Sequence, residues 1–167
     1  MKKLEWWAKE NIAQMTVSEL VNNVITWAQN YPDSMHIAQV KDVDYLRSVL
    51  SIERDNPKRI RKDFITWRQT LDEVAYFWDE FFTPNREFEF NCDLLSAFLS
   101  TFNIHDDKDT WWNKIVAIAN AAGVKNGDVA MNLRVALTGR TNTPDLYSIM
   151  QVMGENRVKT RVQEALK

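Results

Sequence analysis

The chain has 167 residues, 45% of them hydrophobic and 26% charged, with four glycines, four prolines and a formal net charge of −2. That balance excludes a disordered or low-complexity chain and a protein that coats nucleic acid over its whole surface, while leaving room for a local basic patch. A single cysteine, Cys92, excludes an internal disulfide and fits a reducing compartment. No stretch reaches the ~18 apolar residues of a membrane span and none has the form of a signal peptide, so the expected setting is cytoplasmic, with no membrane partner.

Apolar residues recur at helical spacing along the whole chain, and alternating β-branched runs are nearly absent. Leu4, Trp7 and Ile12 predict a short first helix. The stretch from Thr16 to Glu19 (TVSE) is a capping box, opening a helix that carries Leu20, Val24 and Trp27 and stops near Tyr31-Pro32. A third helix over about 42–53 turns Tyr45, Leu46, Val49 and Leu50 inward. Thr70 to Glu73 (TLDE) repeats the capping box and predicts a helix through VAYFWDEFF, with Val74, Phe77, Trp78 and Phe81 as its apolar stripe.

At 83–90, TPNREFEF interrupts the pattern with a proline, an asparagine and a charged stretch, and marks a domain boundary. Helices follow near 93–102 and 109–122, the second ended by Gly123. The next stops at Gly139, with Leu133, Val135, Ala136 and Leu137 inward. Its successor is entered through Thr143 as N-cap and Pro144 as first helical residue. A last helix, ENRVKTRVQEALK, sets Val158, Val162 and Leu166 on one face. The expected fold is all-α: two packed helical subdomains, 1–85 and 86–167, with eight or nine helices in total and no sheet.

Catalytic chemistry is not legible. His36 and His105 are isolated and neither has metal-ligand spacing with Cys92, so no metal site is expected. No glycine-rich phosphate loop follows a strand. The carboxylates are spread over helix faces as solvated surface, and no catalytic residue is assigned.

Two stretches invite a binding role. IERDNPKRIRKDFITW, 52–67, sets Arg54, Lys58, Arg59, Arg61 and Lys62 against Asp55, and its Asn56-Pro57 disfavours a continuous helix. A basic loop between helices suits an anionic partner, since guanidinium forks pair bidentately with phosphates or base edges; the plainer alternative is a solvated charge run. The second stretch is LRVALTGRTNTPDLYSIMQVMG, 133–154, in which Arg134 precedes a polar bend and a new helix start. A base could sit between that guanidinium and the amides of the helix start, although the Thr-Pro pair is equally explained as architecture. Of the tandem tryptophans, Trp6-Trp7 and Trp111-Trp112, one in each pair is expected to be partly exposed, as a core-rim residue or a stacking platform.

These stretches resemble the C-terminal, anticodon-binding region of bacterial-type glutamyl-tRNA synthetases, along essentially the whole chain. The closing residues 126–166 follow that family's pattern of LRxALTG, a polar bend, Thr/Ser-Pro, an apolar helix, an LGKE-like turn (here Met153 to Asn156) and an RxxxAL tail. KLEWWAKENIAQMTVSEL resembles the junction helix that follows the catalytic core, with Ala8 and Ala13 where the family usually has Asn and Arg. The 52–67 stretch resembles the basic segment of part of the family, lengthened around Lys58, Arg59 and Ile60.

The resemblance implies a helical-bundle module that binds a glutamate tRNA, with glutamine tRNA as an additional candidate. It implies Arg134 at the first anticodon base, Thr143 and Pro144 at the second, and Arg61, or alternatively Arg59, at the third. Lys62, Arg68 and Arg140 are candidate phosphate contacts. The catalytic signatures of the family are missing, so the chain is expected to be inactive alone, monomeric, and without a cofactor of its own; ATP and magnesium would bind the absent catalytic domain. An initial Met directly before the junction helix suits an excised fragment. The alternative is a free-standing tRNA-binding or protein-interaction module, for which EFFTPNREFEF, 80–90, offers a peptide-docking surface.

Overall fold

The computed structural model describes residues 2–54, Ile60 and 62–167. Among them are nine α-helices and two short 3-10 turns, and no strand. Contacts divide the chain into two compact units, Met1–Phe81 and Phe82–Lys167.

The first unit holds α1 (Lys2–Gln14), α2 (Val17–Gln29), α3 (Val43–Ser51) and α4 (Trp67–Glu73). The TVSE capping box forms: the Glu19 amide donates to Thr16 Oγ1 at 3.2 Å, and the Thr16 amide to Glu19 Oε2 at 2.8 Å. Leu20, Val21 and Val24 of α2 then meet Leu46, Val49 and Leu50 of α3 and Leu71 of α4 in the core. Burying each such side chain contributes about 1.5–3 kcal/mol before chain entropy is subtracted.

The predicted first helix forms, with Leu4 and Trp7 77% and 60% exposed and both tryptophans of the Trp6-Trp7 pair on the surface; α1 is seated by Ile12 and Ala13 near its C-terminal end. One sequence expectation fails here: Thr70 does not cap a helix. Thr66 does, accepting from the Gln69 amide at 3.1 Å, while buried Thr70 lies inside α4 and donates its hydroxyl to Thr66 O. The helix therefore ends where VAYFWDEFF was expected to begin one, and only the 3-10 turn Ala75–Phe77 follows. Val74 and Phe77 are buried all the same. An apolar run of this length identifies burial more securely than conformation.

His36, isolated in sequence, is buried beside α4. Its Nδ1 stands 2.8 Å from Gln39 Oε1 and its Nε2 3.2 Å from Asp72 Oδ1, while Gln39 Nε2 donates to Leu71 O at 2.9 Å. Long-range pairing of this kind ties the 3-10 turn Met35–Ile37 to the helix, satisfying polar groups that burial would otherwise penalise.

The second unit holds α5 (Cys92–Thr101), α6 (Lys108–Ala122), α7 (Asn126–Thr138), α8 (Leu146–Met153) and α9 (Glu155–Ala165). α7 is its axis, packed against α5, α6 and α9. Leu133, Val135, Ala136 and Leu137 are all buried, as their spacing predicts, with Leu95, Ile115, Ile149, Val158 and Val162 around them. Gly123 and Gly139 end α6 and α7 in the left-handed region, φ 68° and 70°. Of the tandem tryptophans, Trp111 is buried and Trp112 is 41% exposed.

Candidate nucleic-acid interface

Candidate residues concentrate where α7 ends and α8 begins. Arg134 lies one turn before the end of α7, partly buried, and its side chain crosses the bend. Nη1 donates to Thr143 O at 3.0 Å and to Pro144 O at 2.8 Å, and also contacts Thr143 Oγ1. The structure thus brings Arg134 together with Thr143 and Pro144, nine and ten residues further along the chain. A planar guanidinium held on three oxygens has a fixed orientation, which a flexible ammonium in its place would lack.

The bend between them is braced from within. The Thr138 hydroxyl donates to Arg134 O at 2.7 Å and accepts from the Arg140 amide at 3.1 Å. Gly139 is required twice over: its φ is positive, and a Cβ there would collide with the carbonyl oxygen of Thr83. Asn85 completes the seam, its Nδ2 donating to Gly139 O at 3.4 Å.

The helix start itself is not where the sequence placed it. Asp145, not Thr143, is the N-cap of α8, and Leu146, not Pro144, its first residue. Asp145 Oδ2 accepts from the Ser148 amide at 3.0 Å and from its hydroxyl at 2.7 Å, and Oδ1 accepts from Lys108 of α6 at 2.8 Å. Burial pushes the Asp145 carboxyl upward, but Lys108 and the two Ser148 donors outweigh it and hold the group below its usual value. The carboxylate already occupies the Ser148 amide, one of those that were expected to receive a base. What the joint offers in their place is the Arg134 guanidinium and the Thr143-Pro144 backbone. Asp145 was missed because the Thr-Pro pair looked like a sufficient start signal; the Asp-x-x-Ser spacing from Asp145 to Ser148 was the readable clue.

The remaining candidates lie in other parts of the chain, apart from Arg140. Arg59 and Arg61 lie outside the described residues. At the edges of their segment, Arg54 donates through Nη1 to Met15 O at 2.8 Å and through Nη2 to Ile12 O at 3.1 Å, covering carbonyls at the C-terminal end of α1. Lys62 pairs with Glu10 of α1 at 2.7 Å. Both flanks of the basic segment are therefore fastened to α1, which sequence periodicity could not show. Arg68 is largely exposed, with Asp72 at 3.7 Å. Arg140 sits at the bend beside Thr138. Among the described residues no group of three or more His, Cys, Asp or Glu could hold a metal ion, and no helix is long and apolar enough to cross a membrane.

Residues 19–166 match the family model described as the anticodon binding domain. The glutamate–tRNA ligase of Acetivibrio thermocellus is 31% identical over an alignment of 188 positions, covering 99% of this chain and 34% of its own. That of Clostridium perfringens strain 13 is 32% identical over 186, covering 96% of this chain and again 34% of its own. This chain thus spans about a third of the length of the curated relatives it matches. A glutamate–tRNA synthetase crystal structure from Elizabethkingia anophelis superposes on 97% of the chain and 30% of its own, with TM-score 0.67 at 16% identity, a likeness of fold. With an all-helical fold and a match over most of its length, the chain belongs to the anticodon-binding-domain family and corresponds to the C-terminal anticodon-binding region of the glutamate–tRNA ligases.

Proposed function

We propose that the chain reads the anticodon of a glutamate tRNA, with the joint between α7 and α8 as its sequence-reading surface. The observation that carries this is the placement of Arg134, a guanidinium oriented by Thr143 and Pro144 at the end of a rigid buried helix. Unpaired RNA bases are read by side-chain and backbone hydrogen bonds to their exposed edges, and the joint supplies both kinds of group. Arg134 meets the first anticodon base, Thr143 and Pro144 the second, and Arg61, or Arg59, the third. Lys62, Arg68 and Arg140 supply phosphate contacts that add affinity without sequence information. A single copy suffices, and tRNA selection extends to glutamine tRNA only if the third-base reader tolerates its anticodon. On this reading the chain makes no bond; ATP and magnesium belong to a catalytic region outside these residues.

Binding to the anticodon stem–loop tests the assignment. Arg134→Ala is expected to weaken binding about tenfold or more and to erase discrimination at the first anticodon base, the scale of a lost bidentate arginine contact. Lys125→Ala, at the start of α7, is the control and should change little. Equal losses in the two variants at one salt concentration would contradict base reading by Arg134.

A further inference from the structure

A second concave site opens on the other flank of α7. Successive helical residues turn by about 100°, so Ala136 lies on nearly the opposite side of the helix from Arg134. Val135 and Ala136 form one wall of a cavity of about 570 Å³, within the size range of ligand pockets, and Phe82, Phe88 and Phe90 form another. Phe88 and Phe90 meet edge to face at 5.0 Å, and the Arg161 guanidinium lies 3.9 Å from the centre of the Phe82 ring. Arg161 is 2% exposed and donates through Nη1 to Leu137 O at 2.6 Å. Exposed Arg86 and Lys167 stand at the rim, opposed by Glu164.

This chemistry selects its occupant. Most of the surface is aromatic or aliphatic, Arg161 is committed to Leu137 O and the Phe82 ring, and at the exposed rim two cations, Arg86 and Lys167, face one carboxylate, Glu164. Asn85, the neutral polar side chain in the lining, is already committed: its Oδ1 accepts from the Glu87 and Phe88 amides at 3.1 Å, and its Nδ2 faces Gly139 O. A nucleobase, which needs partners for a polar edge, is therefore poorly served; an apolar ring beside a carboxylate is well served. We infer that the cavity receives a large aromatic side chain from an acidic protein segment, held by ring burial and by charge at the rim. Anchoring of this kind is how peptide-sized contacts acquire most of their energy. The cavity lies on the opposite flank of α7 from Arg134, although Asn85 of its lining also braces the bend, and the inference stands or falls independently of the anticodon reading.

The test titrates the whole 167-residue protein with acetyl-Glu-Asp-Phe-Asp-Glu-amide, following backbone amide shifts by NMR. The Phe peptide is expected to bind at least about tenfold more tightly than the same peptide with Ala at its centre, as burying a phenyl ring implies, and to shift Phe88 and Phe90. Arg86→Glu, an exposed change, should weaken the peptide severalfold and leave stem–loop affinity unchanged; Phe88→Ala should weaken it further. The inference is overturned if no binding is seen at millimolar peptide, or if the Ala peptide or a Lys-Arg-Phe-Arg-Lys peptide binds as well. Displacement of the peptide by anticodon stem–loop RNA, together with loss of RNA binding in Arg86→Glu, would likewise overturn it and make the cavity part of the RNA surface.

Discussion

Gly139 and Gly123 share a backbone conformation and differ in what surrounds them. Both end a helix at φ near 70°, where a non-glycine residue costs about 1–2 kcal/mol. Around Gly123 a Cβ meets nothing within 4 Å, whereas at Gly139 it meets the Thr83 carbonyl. Gly123→Ala is therefore expected to cost only the conformational ~1–2 kcal/mol in urea unfolding. Gly139→Ala should cost more, by about 1–3 kcal/mol of overpacking, and should also weaken stem–loop binding, because the bend that orients Arg134 must shift. Equal costs for the two substitutions would mean that the Thr83–Gly139 seam has enough slack to absorb a methyl group. At this scale the sequence was legible wherever one residue's own chemistry decides its conformation, as with these two glycines. It was silent where a distant partner decides: nothing in the local pattern couples Gly139 to Thr83, Arg161 to Leu137 or Arg54 to Ile12.

Helix ends divide the legible elements from the illegible ones. The period of the apolar residues found α2, α3, α5, α6, α7 and α9, because burial of one face determines both the pattern and the packing. It placed two starts wrongly, at Thr70 and Thr143, because several Thr and Asp residues compete for each cap and the choice depends on where the chain must turn. Asp145 won at α8 because it reaches both the Ser148 amide and Lys108. Its carboxyl is held below its usual 3.8 in the folded protein, so the charged form is preferred there. The stability this lends is complete above the unfolded-state value and is lost as pH falls through the folded one. Asp145→Asn keeps a capping acceptor but no charge, so at neutral pH it should cost about 1 kcal/mol or less. Its stability should also fall less steeply than the parent's as pH drops below about 4. Parallel acid profiles for the two proteins would show that the Lys108 pair adds nothing at this cap.

Across the whole molecule, a net charge of −2 means that any affinity for RNA must come from local constellations rather than from the average field. The α7–α8 joint is the constellation we propose for it, and its parts all lie in the second unit, Phe82–Lys167. That unit has a core of its own: Leu95, Ile115, Leu133, Leu137, Ile149, Val158 and Val162 are fully buried, on five helices. A chain of this length commonly buries enough surface to fold independently. Residues 82–167 alone are therefore expected to give a helical circular dichroism spectrum and a single cooperative urea transition, with the fluorescence of Trp111 and Trp112 reporting the same midpoint as the helical signal. Because Arg134, Thr143, Pro144 and Asp145 come along intact, the isolated unit should still prefer the cognate first anticodon base, and Arg134→Ala should abolish that preference. Overall affinity should drop, since the cations of the 54–62 segment are gone. A folded unit that binds RNA without preference at that position would move base reading away from the joint. A unit that fails to unfold cooperatively would show instead that these helices cannot sustain the geometry of Arg134 without residues 1–81.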